Sequence, residues 1–320
     1  MSNIRIVFMG SPQFAIPALG ALLRSEYKVI AVYTQPDRPG GRGQKVLPSP
    51  VKTKALEHDL PIFQPKSLRR AAEIATLKGL NPDATVVAAY GLILPQEVLD
   101  IPPYGCINIH PSLLPKYRGP SPIAYAILNG DTVTGVSIML LDAGMDSGPI
   151  LSQKEVAIEP KDTTGSLASK LAEVGASLLM EVLPLWLAGG LKPMPQDESK
   201  ASYTKQFTKS EGEIDWRLPA KEIERRIRAF QPWPGCYTYW QGKVLKIIEA
   251  MPIAYEGVSE LGKVISLPKS YVAEVGIQTG DGVLGLLLIQ LEGRRAISAV
   301  DFVRGQRDFI GSIVTSPEAS

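Results

Sequence analysis

The chain has 320 residues, 45% apolar and 21% charged, enough to bury more than one core, so two domains are expected. Its 34 Lys and Arg stand against 32 Asp and Glu, a net charge of +2 that excludes nucleic-acid binding by bulk charge and leaves only a local patch to argue for it. The only cysteines, Cys106 and Cys236, lack metal-ligand spacing and point to neither a disulfide framework nor a zinc site. There is no N-terminal signal pattern and no apolar stretch of spanning length, so a soluble, cytoplasmic protein without a membrane segment is expected.

Ile4 to Met9 reads as a strand ending at Gly10-Ser-Pro, and Phe14, Ile16, Leu19, Leu22 and Leu23 then recur at helical spacing. Val29 to Tyr33 reads as a second strand. The following segment 35–45, with Lys52 and Lys54 beyond it, sets five cations (Arg38, Arg42, Lys45, Lys52, Lys54) against Asp37 and is too rich in Gly and Pro for a helix or strand. A helix over 51–58 carries His58 on its surface. A strand at 61–63, a helix over 67–79 and strands at 84–89 and 106–110 complete an alternating pattern, that of a parallel sheet covered by helices.

A strand over 135–141 delivers the chain to Asp142-Ala-Gly-Met-Asp-Ser-Gly148. Thr164 to Leu187 is amphipathic, with Pro184 marking a kink or early end and Gly189-Gly190 the stop. A polar linker follows, so the expected domains are 1–204 and 205–320. In the second, a helix over 219–230 with Lys221, Arg225 and Arg228 on its charged face precedes five strand-like runs, the pattern of a small barrel or sandwich. Gly280-Asp-Gly-Val-Leu-Gly285 satisfies the dinucleotide-binding expression, but it lies between two apolar runs and reads as a hairpin turn.

The strongest chemical signal is Asn108-Ile-His-Pro-Ser-Leu-Leu-Pro-Lys-Tyr-Arg-Gly119 with Asp146 beyond it. Strand alternation puts Asn108 and His110 on one side and Ile109 on the other. Two donors there can stabilise an oxygen that gains charge in acyl transfer, and Asp146 can supply a countercharge, orient the ring or accept a proton. The plain alternatives are a core histidine and a turn-forming aspartate, with Asp142 as the competing carboxylate.

These residues, together with Ile4 to Phe14 and Phe302-Val-Arg-Gly305, resemble the 10-formyltetrahydrofolate-dependent formyltransferases over almost the whole chain. The nearest branch is the one acting on methionyl initiator tRNA. The resemblance implies a Rossmann-like α/β catalytic domain followed by an oligonucleotide-binding-type β-barrel, and a monomer that uses 10-formyltetrahydrofolate as cosubstrate with no tightly bound cofactor or metal. It assigns catalysis to Asn108, His110 and Asp146. Folate binding falls to Ala89, Tyr90, Gly91, Leu92, Ser112, Leu113, Leu114, Pro115 and Asp142, and tRNA contact to Arg38, Arg42 and Lys45. The rival readings are an amino-sugar nucleotide or glycinamide ribonucleotide formyltransferase, and a noncatalytic RNA-binding protein on the same scaffold.

Overall fold

The computed structural model describes residues 4–40, 45–255, 257 and 259–315, with only the backbone of 39, 40 and 45. In chain order the first elements are β1 (Arg5–Gly10), α1 (Ile16–Leu23), β2 (Lys28–Tyr33), β3 (Arg38–Gly40), β4 (Lys45–Leu47), α2 (Pro50–Leu56), β5 (Ile62–Phe63), α3 (Ala71–Leu80), β6 (Ala84–Ala88) and α4 (Gln96–Leu99). Next come β7 (Cys106–His110), α5 (Pro122–Asn129), β8 (Val133–Leu140), β9 (Ile150–Ala157) and α6 (Thr164–Leu187). One sheet has the order β5-β2-β1-β6-β7-β8-β9. Pairing is parallel from β5 to β7, while β8 and β9 run antiparallel. β1, β6 and β7 are central and buried on both faces, which is why β1 and β6 are nearly unbroken apolar runs, while β7 carries the polar Asn108 and His110 on one face.

Three local outcomes differ from the sequence reading. β9 was not expected, because its Ser152-Gln-Lys-Glu155 stretch is polar; it is an edge strand, and charged, exposed side chains suit an edge. The basic segment forms a short antiparallel ribbon of β3 and β4, in which Pro39 is tolerated because no third strand needs its missing N–H. Pro184 neither ends nor shortens α6, which runs to Leu187 and stops where Gly189 turns left-handed. No helix among the described residues is long and apolar enough to cross a membrane.

The second sheet follows α7 (Ala220–Ala229), whose Ala220, Ile223 and Ile227 are buried at helical spacing. Its strands are β10 (Cys236–Trp240), β11 (Lys243–Ile253), β12 (Val264–Ser266), β13 (Val275–Gln278), β14 (Val283–Leu291) and β15 (Ile297–Ser298), and α8 (Ala299–Gly305) follows. The order is β10-β11-β14-β13-β12, with β15 on β14. Residues 312–315 then bond to both edges: Thr315 pairs with Tyr239 of β10, and Ile313 with Lys263 beside β12. Each edge thus gains one bridge from this segment, and the antiparallel sheet curls as a half-barrel. Thr279 to Gly282 makes the β13–β14 hairpin turn, so the glycine expression there does not form the strand-turn-helix of a dinucleotide site.

The compact units are Met1–Pro122, Val133–Ala157 and Ala168–Thr204, against Ile123–Thr132, Ile158–Leu167 and Lys205–Ser320. A single cut after residue 204 leaves out the two short excursions, which no linker composition marks.

Candidate active site

β7 carries Asn108 and His110 at the carboxyl end of the parallel strands, where ligands of such sheets collect. Gly175 of α6 lets the helix come close on the other side: a Cβ there would stand 2.7 Å from Ile109 Cγ2. Ile109 is thereby packed under the helix, and Asn108 and His110 open into a cavity of about 740 Å³ that they line with Asp146. The Asn108 side chain is 8% exposed and has no hydrogen-bond partner among the described residues. Its amide is available to a ligand.

His110 is held by its far nitrogen. Nε2 lies 3.1 Å from the Tyr117 carbonyl oxygen, which can only accept, so Nε2 carries a proton. Nδ1 faces Asp146 Oδ2 at 3.7 Å, an electrostatic contact too long for a hydrogen bond. Burial lowers the ring's pKa, and Asp146 and the Tyr117 carbonyl oppose that without reversing it. The resting ring is therefore neutral near pH 7, with an unprotonated Nδ1 in the cavity. In that form Nδ1 accepts, and it donates to an oxyanion only once the ring gains a second proton. The chain has two histidines, and His58 is exposed. NMR titration of the ring nitrogens is expected to give His110 a midpoint below about 6.5 and Asp146→Asn a midpoint lower still. A midpoint above 6.5 contradicts this electrostatic account.

Asp146 sits at φ 51°, in the left-handed region, and its Oδ2 accepts the Gly119 N–H at 2.7 Å. Asp142, the rival carboxylate, lines the cavity but braces its own loop, accepting from Gly144 N–H and Ser147 Oγ. Of the two carboxylates, Asp146 faces the His110 ring.

The proposed folate residues divide. Ala89, Tyr90, Gly91, Leu92 and Asp142 line the cavity with the apolar Val87, Leu94, Leu99 and Leu141. The turn behind Tyr90 is held by two groups the sequence did not flag: Ser11 Oγ and Gln35 Nε2 both donate to the Tyr90 carbonyl. Gly91 has φ 79°, and a Cβ there would meet Gln35 Nε2 at 2.3 Å. Ser112, Leu113, Leu114 and Pro115, in contrast, do not line the cavity. Ser112 Oγ donates to the Lys116 carbonyl, Leu114 N–H to Ser137 Oγ, and Leu113 lies over Gly135, so this turn is packed onto β8.

Arg118 is buried against what its residue type suggests. By residue type alone Lys116-Tyr-Arg118 is a solvated basic turn, yet the guanidinium is 1% exposed, bidentate to Glu198 and bonded to Gln196 and Tyr203. These partners stand about 80 residues away in the linker and left no local signal.

The family described as "Formyl transferase" matches residues 4–183, and "Formyl transferase, C-terminal domain" matches residues 206–307. The chain belongs to the formyl transferase family. A methionyl-tRNA formyltransferase from Dehalococcoides mccartyi is 50% identical over 314 residues, 97% of this chain and 98% of its own. Another of that name, from Chloroflexus aurantiacus, is 49% identical over 302 residues, 94% of this chain and 97% of its own. An N-formyltransferase from Helicobacter canadensis, solved with folinic acid and dTDP-3-aminofucose, has a TM-score of 0.62 at 19% identity, covering 92% of this chain and 100% of its own; it shares the fold.

Within this formyl transferase the basic ribbon is the remaining candidate surface. Lys52 bonds to Asp37, which also accepts from Gln64, and Lys54 pairs with Glu57. Two of the five cations are thus engaged locally. Arg38 is exposed, as are the apolar Val46 (63%) and Leu47 (52%). Arg42 lies outside the described residues, and Lys45 is described by its backbone alone. Both free thiols, Cys106 and Cys236, are buried, which pushes each up to about 12 and leaves them unreactive. No group of three or more His, Cys, Asp or Glu among the described residues is placed to hold a metal ion.

Proposed function

We propose that this protein transfers the formyl group of 10-formyltetrahydrofolate to the α-amine of methionine carried on initiator tRNA, acting as a monomer. The observation that carries the reading is 50% and 49% identity to two methionyl-tRNA formyltransferases over 97% and 94% of the chain, across both family regions. The cavity supports the chemistry. It has the volume of an ordinary small-molecule site, an apolar wall from Val87 to Leu141 and few polar groups, which suits a flat ring system with a reactive polar end.

The reaction forms a bond between the amine nitrogen and the formyl carbon and breaks the bond from that carbon to N10 of the folate. A proton must leave the amine, and one must reach N10. Asn108 Nδ2 donates to the formyl oxygen as it gains charge. Neutral His110 accepts the amine proton at Nδ1, and Asp146, 3.7 Å away, stabilises the imidazolium that results. The doubly protonated ring then has a donor facing the cavity and can return the proton to N10. Asp142 and the 89–92 turn shape the folate end, and Arg38, Arg42 and Lys45 contact tRNA phosphates, which makes that contact salt-dependent.

The test offers 10-formyltetrahydrofolate with methionyl initiator tRNA, methionyl elongator tRNA or an amino-sugar nucleotide. Selective formylation of the initiator is expected, and in the same assay Arg42→Ala with Lys45→Ala weakens use of tRNA but not of folate. Formylation of the sugar amine alone keeps the cavity and overturns the acceptor. No tetrahydrofolate release with any amine overturns the enzyme.

A further inference from the structure

The segment joining the two family-matched regions is laced into the catalytic unit, and one of its side chains reaches the backbone of the catalytic loop. Met194 exchanges both backbone bonds with Ile150 of β9. Ser202 and Thr204 bond to the backbone at Pro115 and Arg118. Between these anchors, Gln196 is half-buried and uses its amide in two directions. Its Nε2 donates to the Asp146 carbonyl at 2.8 Å and to the Gly148 carbonyl at 2.7 Å. Its Oε1 accepts from Arg118 Nε at 3.0 Å and Nη2 at 2.9 Å.

We propose that Gln196 is a positioning residue for formyl transfer: it clamps the backbone of Asp146, and so fixes where that carboxylate stands against His110. The physical need is specific. Asp146 holds a left-handed φ of 51°, which a residue with a side chain adopts at a cost and keeps only where its surroundings enforce it. Its side chain is tied at a single point, the Gly119 N–H, so the carboxylate's place depends on the backbone from which it projects. The two carbonyls that Gln196 grips flank Ser147, and no other side chain among the described residues donates to them. The amide's orientation is set in turn, because Arg118 can only donate and must face Oε1. The chain of contacts runs from Glu198 through Arg118 and Gln196 to the Asp146 backbone. The residue is invisible to both family matches, which stop at 183 and resume at 206.

Gln196→Glu separates the two grips. A carboxylate keeps the attraction to Arg118, so the linker stays seated, but it presents only acceptors to two carbonyl oxygens and must release the loop. The readouts are kcat for formyl transfer, thermal melting to confirm folding, and the NMR midpoint of His110; the first rests on the proposed reaction, and the last does not. The expected result is a folded enzyme with kcat down by about tenfold to a hundredfold, the loss typical of a misplaced catalytic group. Its His110 midpoint moves in the same direction as in Asp146→Asn. In the Asp146→Asn background, Gln196→Glu adds little, because the group it positions has lost its charge. If Gln196→Glu proves poorly folded, Gln196→Ala is read in the same way. Wild-type kcat with an unmoved His110 midpoint overturns the proposal, and so do losses that multiply in the double variant. A wild-type protein that formylates no amine defeats the functional reading, while the His110 titration still decides Gln196.

Discussion

Asn108→Ala is expected to lower kcat for formyl transfer by about a hundredfold to a thousandfold, roughly 3 to 4 kcal/mol, while folate affinity stays nearly unchanged. The argument lies in what the amide does not do. A side chain 8% exposed, on a strand buried along its whole length, is expected to have its hydrogen bonds made within the protein; this one has none among the described residues and borders the cavity. Backbone pairing of Asn108 with Val87 and Met139 on either side fixes where the amide points, so the donor is placed before charge develops. Ground-state binding gains little from one bond to a formyl oxygen. The transition state, with charge on that oxygen beside the mostly buried Asn108 and His110, gains much more. Single-turnover transfer and equilibrium folate binding measured on the same variant separate the two. Equal loss in both measurements would make Asn108 a binding residue only.

Asp146→Asn and His110→Ala come next, each expected to reduce kcat by about a hundredfold or more with a far smaller effect on folate affinity. Asparagine at 146 can still accept the Gly119 N–H, so the loop stays in place and only the charge beside Nδ1 is lost. The His110 variant removes the proton acceptor itself. It also leaves a void where a 3% exposed ring stood, so its melting temperature must be read separately from its rate. A combined variant no slower than the worse single one is expected of two groups that move one proton together. Multiplying losses would mean independent roles, and the relay assigned to the pair would be wrong.

The sequence made legible what depends on local pattern. Cys106 to His110 appears as the strand it forms, and strand alternation alone placed Asn108 and His110 together. The long helix from 164 to 187 was readable from its apolar periodicity. What stayed hidden depends on partners distant in sequence. Arg118 looked like a surface cation because nothing near it announces Glu198 or Gln196, and the turn 112–115 could not show that its own hydroxyl and amide groups were already committed to Lys116 and β8. The state of His110 was equally out of reach, since it turns on the Tyr117 carbonyl, which accepts a hydrogen bond from Nε2–H and so leaves Nδ1 as the working atom. β9 was missed for the opposite reason: an edge strand keeps polar residues that a pattern search reads as loop.

The central claim is spatial, that the formyl group is held where Asn108 and His110 can both reach it. A structure of the protein with a 10-formyl folate analogue that cannot transfer tests this directly. The account predicts the analogue's ring system along the 89–94 turn and its formyl oxygen about 3 Å from Asn108 Nδ2, with the open side of the formyl carbon toward His110 Nδ1. A formyl group turned away from Asn108, or an analogue seated in the separate cavity beside α7 at Arg225, would contradict it.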